Sequence, residues 1–119
     1  MTEKKWKETI RSKCIEVGTY KPAFDPVIDS LAAVLAQRDK TRTEFKKSGG
    51  KSVMEHTNKY GAVNLIKNPL LVLWDDLNKS ALAYWRDLGL TPAGLKKLHE
   101  KALQQPKKNP LAEALKGLG

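Results

Sequence analysis

The chain is poor in the residue types on which most catalytic and covalent architectures rest. It holds one cysteine, Cys14, and two histidines, His56 and His99, in 119 residues. A lone cysteine cannot close an internal disulfide, which points to a reducing compartment. Neither histidine has a cysteine cluster or a partner at zinc-site spacing, and Cys14 has no neighbouring base to activate it. No catalytic residue, metal or cofactor is therefore expected. Long apolar runs are missing too. No segment approaches the roughly 20 residues that span a bilayer, and the first residues lack the apolar stretch of a signal peptide, so a soluble cytoplasmic protein with no membrane partner is expected. Ser48-Gly49-Gly50-Lys51-Ser52 looks like the end of a phosphate-binding loop, but Phe45 stands where that pattern needs its first glycine. An NTP site of that kind is excluded.

Acidic residues are also scarce: 13 Asp and Glu face 22 Lys and Arg, a formal charge of +9. Such a balance favours polyanionic partners, nucleic acid first among them. The excess is clustered. Residues 1–21, 38–51 and 96–116 each carry six basic groups against two or three acidic ones, while 52–95 balance at four and four. For any single lysine, a solvated surface position is the default reading.

Between these clusters the periodicity is helical. Trp6, Ile10, Cys14 and Val17 share one face of a helix over 3–17 that Gly18 ends, with Lys4, Lys7 and Arg11 on another face. Asp25-Pro26 reads as a cap and a first-turn proline opening a helix to about Lys47. Along it, Phe24, Ile28, Leu31, Leu35, Arg38, Arg42 and Phe45 fall at a/d spacing, so two arginines interrupt an apolar seam. Either they fix register or assembly there, or the helix end leaves the core and exposes them. Val53 to Ile66 alternates around Asn58-Lys59-Tyr60-Gly61, which suits a small hairpin.

The most specific stretch is Asn68 to Leu98. Asn68-Pro69 opens a helix in which Leu70, Trp74, Leu77, Ala81, Tyr84 and Leu88 draw one apolar seam. Gly89 stops it, and Thr91-Pro92 starts another helix at once, running to about Leu103. A linker follows, then Pro110 to Leu118, where Leu111, Ala114, Leu115 and Leu118 could line one side of a short amphipathic helix.

Asn68-Pro69, Trp74 and the turn Leu88-Gly89-Leu90-Thr91-Pro92, at this spacing, resemble the small subunit of phage terminases, in the short form found in phages with cohesive-end genomes. The order of elements matches across most of the chain and the detail from about Val53 to Leu98. Where members often carry a small residue and an arginine after the Thr-Pro, this chain has Ala93-Gly94-Leu95, with positive charge delayed to Lys96 and Lys97. The resemblance implies an all-α fold built on a long helical hairpin with a basic N-terminal helix, assembled as a homo-oligomeric ring. It further implies a non-catalytic role in the host cell cytoplasm: binding viral duplex DNA at the packaging start and stimulating the large subunit, which holds the ATPase and nuclease.

On this reading residues 1–106 form the DNA-binding and oligomerisation domain, and 107–119 a flexible tail that docks a partner through Leu111, Leu115 and Leu118. Phosphate contacts are expected from Lys4, Lys5, Lys7 and Arg11 on the first helix and from Arg38, Arg42, Lys46 and Lys47 on the second. Subunit contacts are expected from Ile28, Leu31, Leu35, Trp74, Leu77, Tyr84 and Trp85. The alternatives are a dimeric helix-turn-helix regulator reading bases with the helix after Thr91-Pro92, and a phage assembly adaptor whose lysines meet acidic protein surfaces. A recognition helix needs polar side chains on its first turns, and Ala93, Gly94 and Leu95 supply almost none.

Overall fold

A computed structural model describes residues 1–104 of the chain. The tail expected at 107–119, with Leu111, Leu115 and Leu118, lies outside the described residues.

Helix α1 spans Glu3–Val17; the Thr2 hydroxyl accepts from the Lys5 N–H at 3.2 Å, and Gly18, at φ 79°, closes it by donating to the carbonyls of Cys14 and Ile15. A short 3-10 turn, Pro22–Phe24, leads into α2, Asp25–Lys47. Asp25 is not the cap that the sequence suggested. Phe24 takes that position without a side-chain hydrogen bond, because the Asp25 carboxylate is held by the Tyr20 hydroxyl at 3.2 Å and the Arg11 guanidinium at 3.3 Å.

Strands β1 (Val53–Thr57) and β2 (Val63–Lys67) form the hairpin read from the sequence, antiparallel, with Val53 opposite Lys67 and Thr57 opposite Val63. Its turn is local chemistry: Asn58 Oδ1 accepts from the N–H groups of Tyr60 and Ala62 at 2.9 and 3.0 Å, and Gly61 sits at φ 81°, a conformation that favours glycine. Helices α3 (Pro69–Asp87) and α4 (Pro92–Gln104) complete the order.

Two cross-contacts fix the pairing of α2 with α3. Arg38 donates to Asn78 at 3.0 Å, and Arg42 lies 5.6 Å from the ring centre of Trp74. From one contact to the next α2 climbs four residues while α3 descends four, so the helices run antiparallel, and the β-hairpin projects from their shared tip. Helix α1 runs antiparallel to α2, with Arg11 against Asp25 and Trp6 against Asp39. The molecule is elongated, 82 × 28 × 22 Å along its principal axes.

The core lies where three helices meet, away from the hairpin. Ile10 and Cys14 of α1, Ile28, Leu31, Ala32 and Leu35 of α2, and Ala81 and Leu88 of α3 are buried. Burying a large aliphatic side chain stabilises by about 1.5–3 kcal/mol, so Ile10, Ile28, Leu31 and Leu35 dominate the packing. This alters one expectation: Ile28, Leu31 and Leu35 are at most 1 % exposed within the protomer itself and have no surface left for a subunit seam. Trp74, Leu77, Tyr84 and Trp85 are half-buried; Tyr84 and Trp85 pack against the core and Trp74 lies under Arg42 of α2. The Thr19 hydroxyl donates to the Leu88 carbonyl at 2.8 Å and ties the α1–α2 connector to the end of α3.

Candidate nucleic-acid interface

The antiparallel packing of α1 on α2 sets the start of α1 beside the C-terminal half of α2, so two basic clusters distant in sequence come near each other. The N-terminal ammonium pairs with Asp39 at 3.1 Å and the Trp6 indole N–H donates to the same carboxylate at 2.8 Å, so α1 begins beside the middle of α2. Arg42 and Lys46 continue from Asp39 at steps of three and four, rising about 10 Å beyond it, with Arg42 exposed over the Trp74 ring of α3. Lys4, Lys5, Arg42 and Lys46 therefore lie around the same half of α2, all four exposed. Lys47 is exposed on an adjoining face. Lys40 and Lys51, which belong to the same charge run, are exposed as well; counting charge per segment found the run, but no spacing rule singled these two out. None of these seven has an ion-pair partner among the described residues.

The other three candidates are engaged within the chain. Lys7 pairs with Asp29 at 3.5 Å and Arg11 with Asp25 at 3.3 Å, both at exposed positions where such pairs contribute little to stability. Each still offsets part of the positive field its residue presents outward. Arg38 is turned inward: it donates to Asn78, stacks 5.9 Å from the Trp6 ring centre, and its side chain is 21 % exposed. Trp6 in turn meets Trp85 edge-on, ring centres 6.4 Å apart. Arg38 thus joins α1, α2 and α3 in one aromatic and polar junction. Its long aliphatic stem and planar head suit that position better than lysine would.

The α3–α4 junction is tight. Gly89, at φ 71°, reverses the chain, and Gly94 is buried with its N–H donating to the Thr91 hydroxyl at 3.0 Å. A Cβ at Gly94 would collide with the Arg86 carbonyl oxygen and meet Thr91 Oγ1 at 2.9 Å. The start of α4 is therefore fitted against the end of α3, and Lys96, Lys97 and Lys101 lie exposed further along. An open apolar groove of about 720 Å³ lies between the ends of α1 and α3 and the start of α4, lined by Val17, Leu82, Trp85, Leu90, Pro92 and Leu95. Its charged rim residues, Lys13 and Glu16, pair with each other at 3.2 Å.

Burial pushes the Cys14 thiol above its ordinary range, with a hydrogen bond to Thr19 acting weakly the other way. A thiol held protonated is a packing group and a poor nucleophile. Among the described residues no group of three His, Cys, Asp or Glu side chains is placed to hold a metal ion, and no helix is long and apolar enough to cross a membrane.

No curated protein and no solved structure matches the chain. The family model described as "Phage terminase, small subunit" matches residues 2–105, all four helices and the β-hairpin included, and the chain belongs to that family.

Proposed function

We propose that this chain is the non-catalytic DNA-recognition subunit of a viral packaging motor, working in the host cytoplasm as a ring of identical copies. It binds viral duplex DNA at the packaging start through the basic residues around the start of α1 and the C-terminal half of α2, and stimulates the large ATPase and nuclease subunit. The observation that carries this reading is that Lys4, Lys5, Arg42 and Lys46, exposed and without an ion-pair partner among the described residues, lie around the C-terminal half of α2 in a family member with a net charge of +9.

Phosphate neutralisation releases counterions, so each such contact adds affinity at low salt that is lost as salt rises. One protomer offers only a few contacts. Repetition around a closed assembly multiplies them into a continuous track. Residues 1–106 carry this grip, and the segment 107–119, through Leu111, Leu115 and Leu118, is the element offered to the large subunit. The outward faces of α3 and the hairpin, with the half-buried Trp74, Leu77, Tyr84 and Trp85 behind them, supply the contacts between copies.

Duplex binding measured from 50 to 300 mM salt, alongside the solution mass, tests the proposal. Expected are a multi-chain mass and an affinity that falls steeply with salt. A single-chain mass together with no affinity for duplex DNA at low salt would remove it. A dimeric regulator reading bases through α4 is disfavoured because Gly94 is buried against α3 and Ala93 and Leu95 offer no hydrogen bonds to base edges.

A further inference from the structure

The β-hairpin is the least self-sufficient part of the molecule. Every residue of β1 and β2 is exposed, and so is the tip residue Tyr60, at 82 %. One face carries Val53, Val63 and Leu65, at 47, 59 and 73 %; the other carries Met54 and Ile66, at 43 and 37 %. A two-stranded sheet is marginal in water unless something packs on it. Nothing among the described residues buries either face. Asn68 holds the base rigidly: its N–H donates to the Ser52 carbonyl at 2.8 Å, its Nδ2 to the Lys51 carbonyl at 2.9 Å, and its Oδ1 accepts from the Leu70 N–H at 3.0 Å. With β2 running straight into α3 through that residue, the Val63 and Leu65 side chains cannot fold back onto the helix that follows.

The surface that suits this face lies on the same molecule. The outer side of α3 near its start exposes Val72 and Leu73, at 41 and 42 %, next to Asp75 and Asp76, which have no ion-pair partner among the described residues. The hairpin carries Lys59 and Lys67, equally unpaired, against one carboxylate, Glu55, on the Val63–Leu65 face, while α3 sets Asp75 and Asp76 against Lys79, so apolar meets apolar and a net positive surface meets a net negative one. The two patches adjoin at a shallow cleft of about 370 Å³ lined by Ser52, Val53, Lys67, Leu71, Val72 and Asp75. Each protomer thus presents both halves of a head-to-tail contact, the kind that closes into a ring when repeated. A face combining exposed aliphatics with carboxylates does not suit a phosphate backbone.

We propose that the Val63–Leu65 face of one copy's hairpin packs on the Val72–Leu73 surface of α3 in the next copy, with Lys59 and Lys67 meeting Asp75 and Asp76. This rests on the ring assembly proposed above and names the seam within it. The hairpin acts as a reaching arm, which explains why a helical protein keeps two isolated strands at the end of its longest helices.

The test uses the full chain. With Val63→Asp and Leu65→Asp together, the helices should form as before by circular dichroism, while the concentration at which the assembly dissociates rises about tenfold or more. A second arm replaces Cys14 by Ala and introduces Leu65→Cys with Leu73→Cys; mild oxidation should link neighbouring copies into ladders, whereas either single cysteine gives no more than dimers. An assembly of unchanged mass in the aspartate variant, with no ladder, overturns the arm and leaves the ring standing. A single-chain mass for the unaltered protein ends both.

Discussion

Gly94 sits against the carbonyl of Arg86 so closely that even a methyl group there would overlap it, and this contact sets the angle between α3 and α4. Gly94→Ala should therefore loosen the junction, although alanine is ordinarily the better helix former. Overpacking of this kind costs about 1–3 kcal/mol. Thermal melting checks it: a midpoint that rises would show that propensity outweighs the clash.

Arg38 belongs to the protomer's interior junction, so its removal should act on folding. Arg38→Ala loses the Asn78 hydrogen bond and the contact with Trp6 and should destabilise by about 1–3 kcal/mol. Arg38→Lys should recover little of this, since an ammonium cannot hold both partners from one planar head. Urea titration of the three proteins gives the ordering.

Exposed lysines should behave in the opposite way. Lys5→Ala with Lys46→Ala should leave stability within about 0.5 kcal/mol and weaken duplex binding. The slope of log affinity against log salt should shrink by about 1.8, from about 0.9 per lost phosphate contact. Lys7→Ala, whose ammonium already faces Asp29, should change the slope less. Equal effects from Lys7 and Lys46 would place the DNA along α1 rather than at the end of the helical pair.

Asn68→Ala removes a helix cap and the tie to the hairpin base together, and should destabilise by about 1–2 kcal/mol. Asn68→Asp keeps the acceptor for Leu70 but not the donor to Lys51, so it should fall between the two. Amide exchange in β1 and β2 would accelerate in both variants if Asn68 holds the arm in place.

Cys14 gives a pH signature. Its thiol is raised above the ordinary 9.0 by burial, so the folded state holds its proton more tightly than the unfolded chain does. The resulting stability is complete below about pH 9 and is lost as the pH climbs from there through the folded value. Denaturation measured between pH 7 and 10.5 should show a steeper alkaline decline for the unaltered protein than for Cys14→Ala. Parallel curves would mean that the thiol is not desolvated.

Much of the chain was legible before folding was considered. Gly18, Asn68-Pro69, Thr91-Pro92 and the Asn58–Gly61 turn act through bonds between residues two to four apart, so a linear reading finds them. Asp25 shows the limit of that reading: a residue of capping type was drawn away by Arg11 and Tyr20, one of them fourteen positions earlier.

What only the tertiary structure decided is which surfaces remain for use. An apolar stripe records that a helix needs a partner, never whether the partner is the same chain; Ile28, Leu31 and Leu35 found theirs in α1 and α3. A basic residue records a charge, and whether it faces phosphate or a tryptophan depends on which helix lies across from it, as Arg38 and Lys46 demonstrate. The sequence set the local geometry because backbone hydrogen bonds are short-ranged. The allocation of faces, the joining of two cationic clusters and the isolation of the hairpin came from packing, since these are relations between residues tens of positions apart.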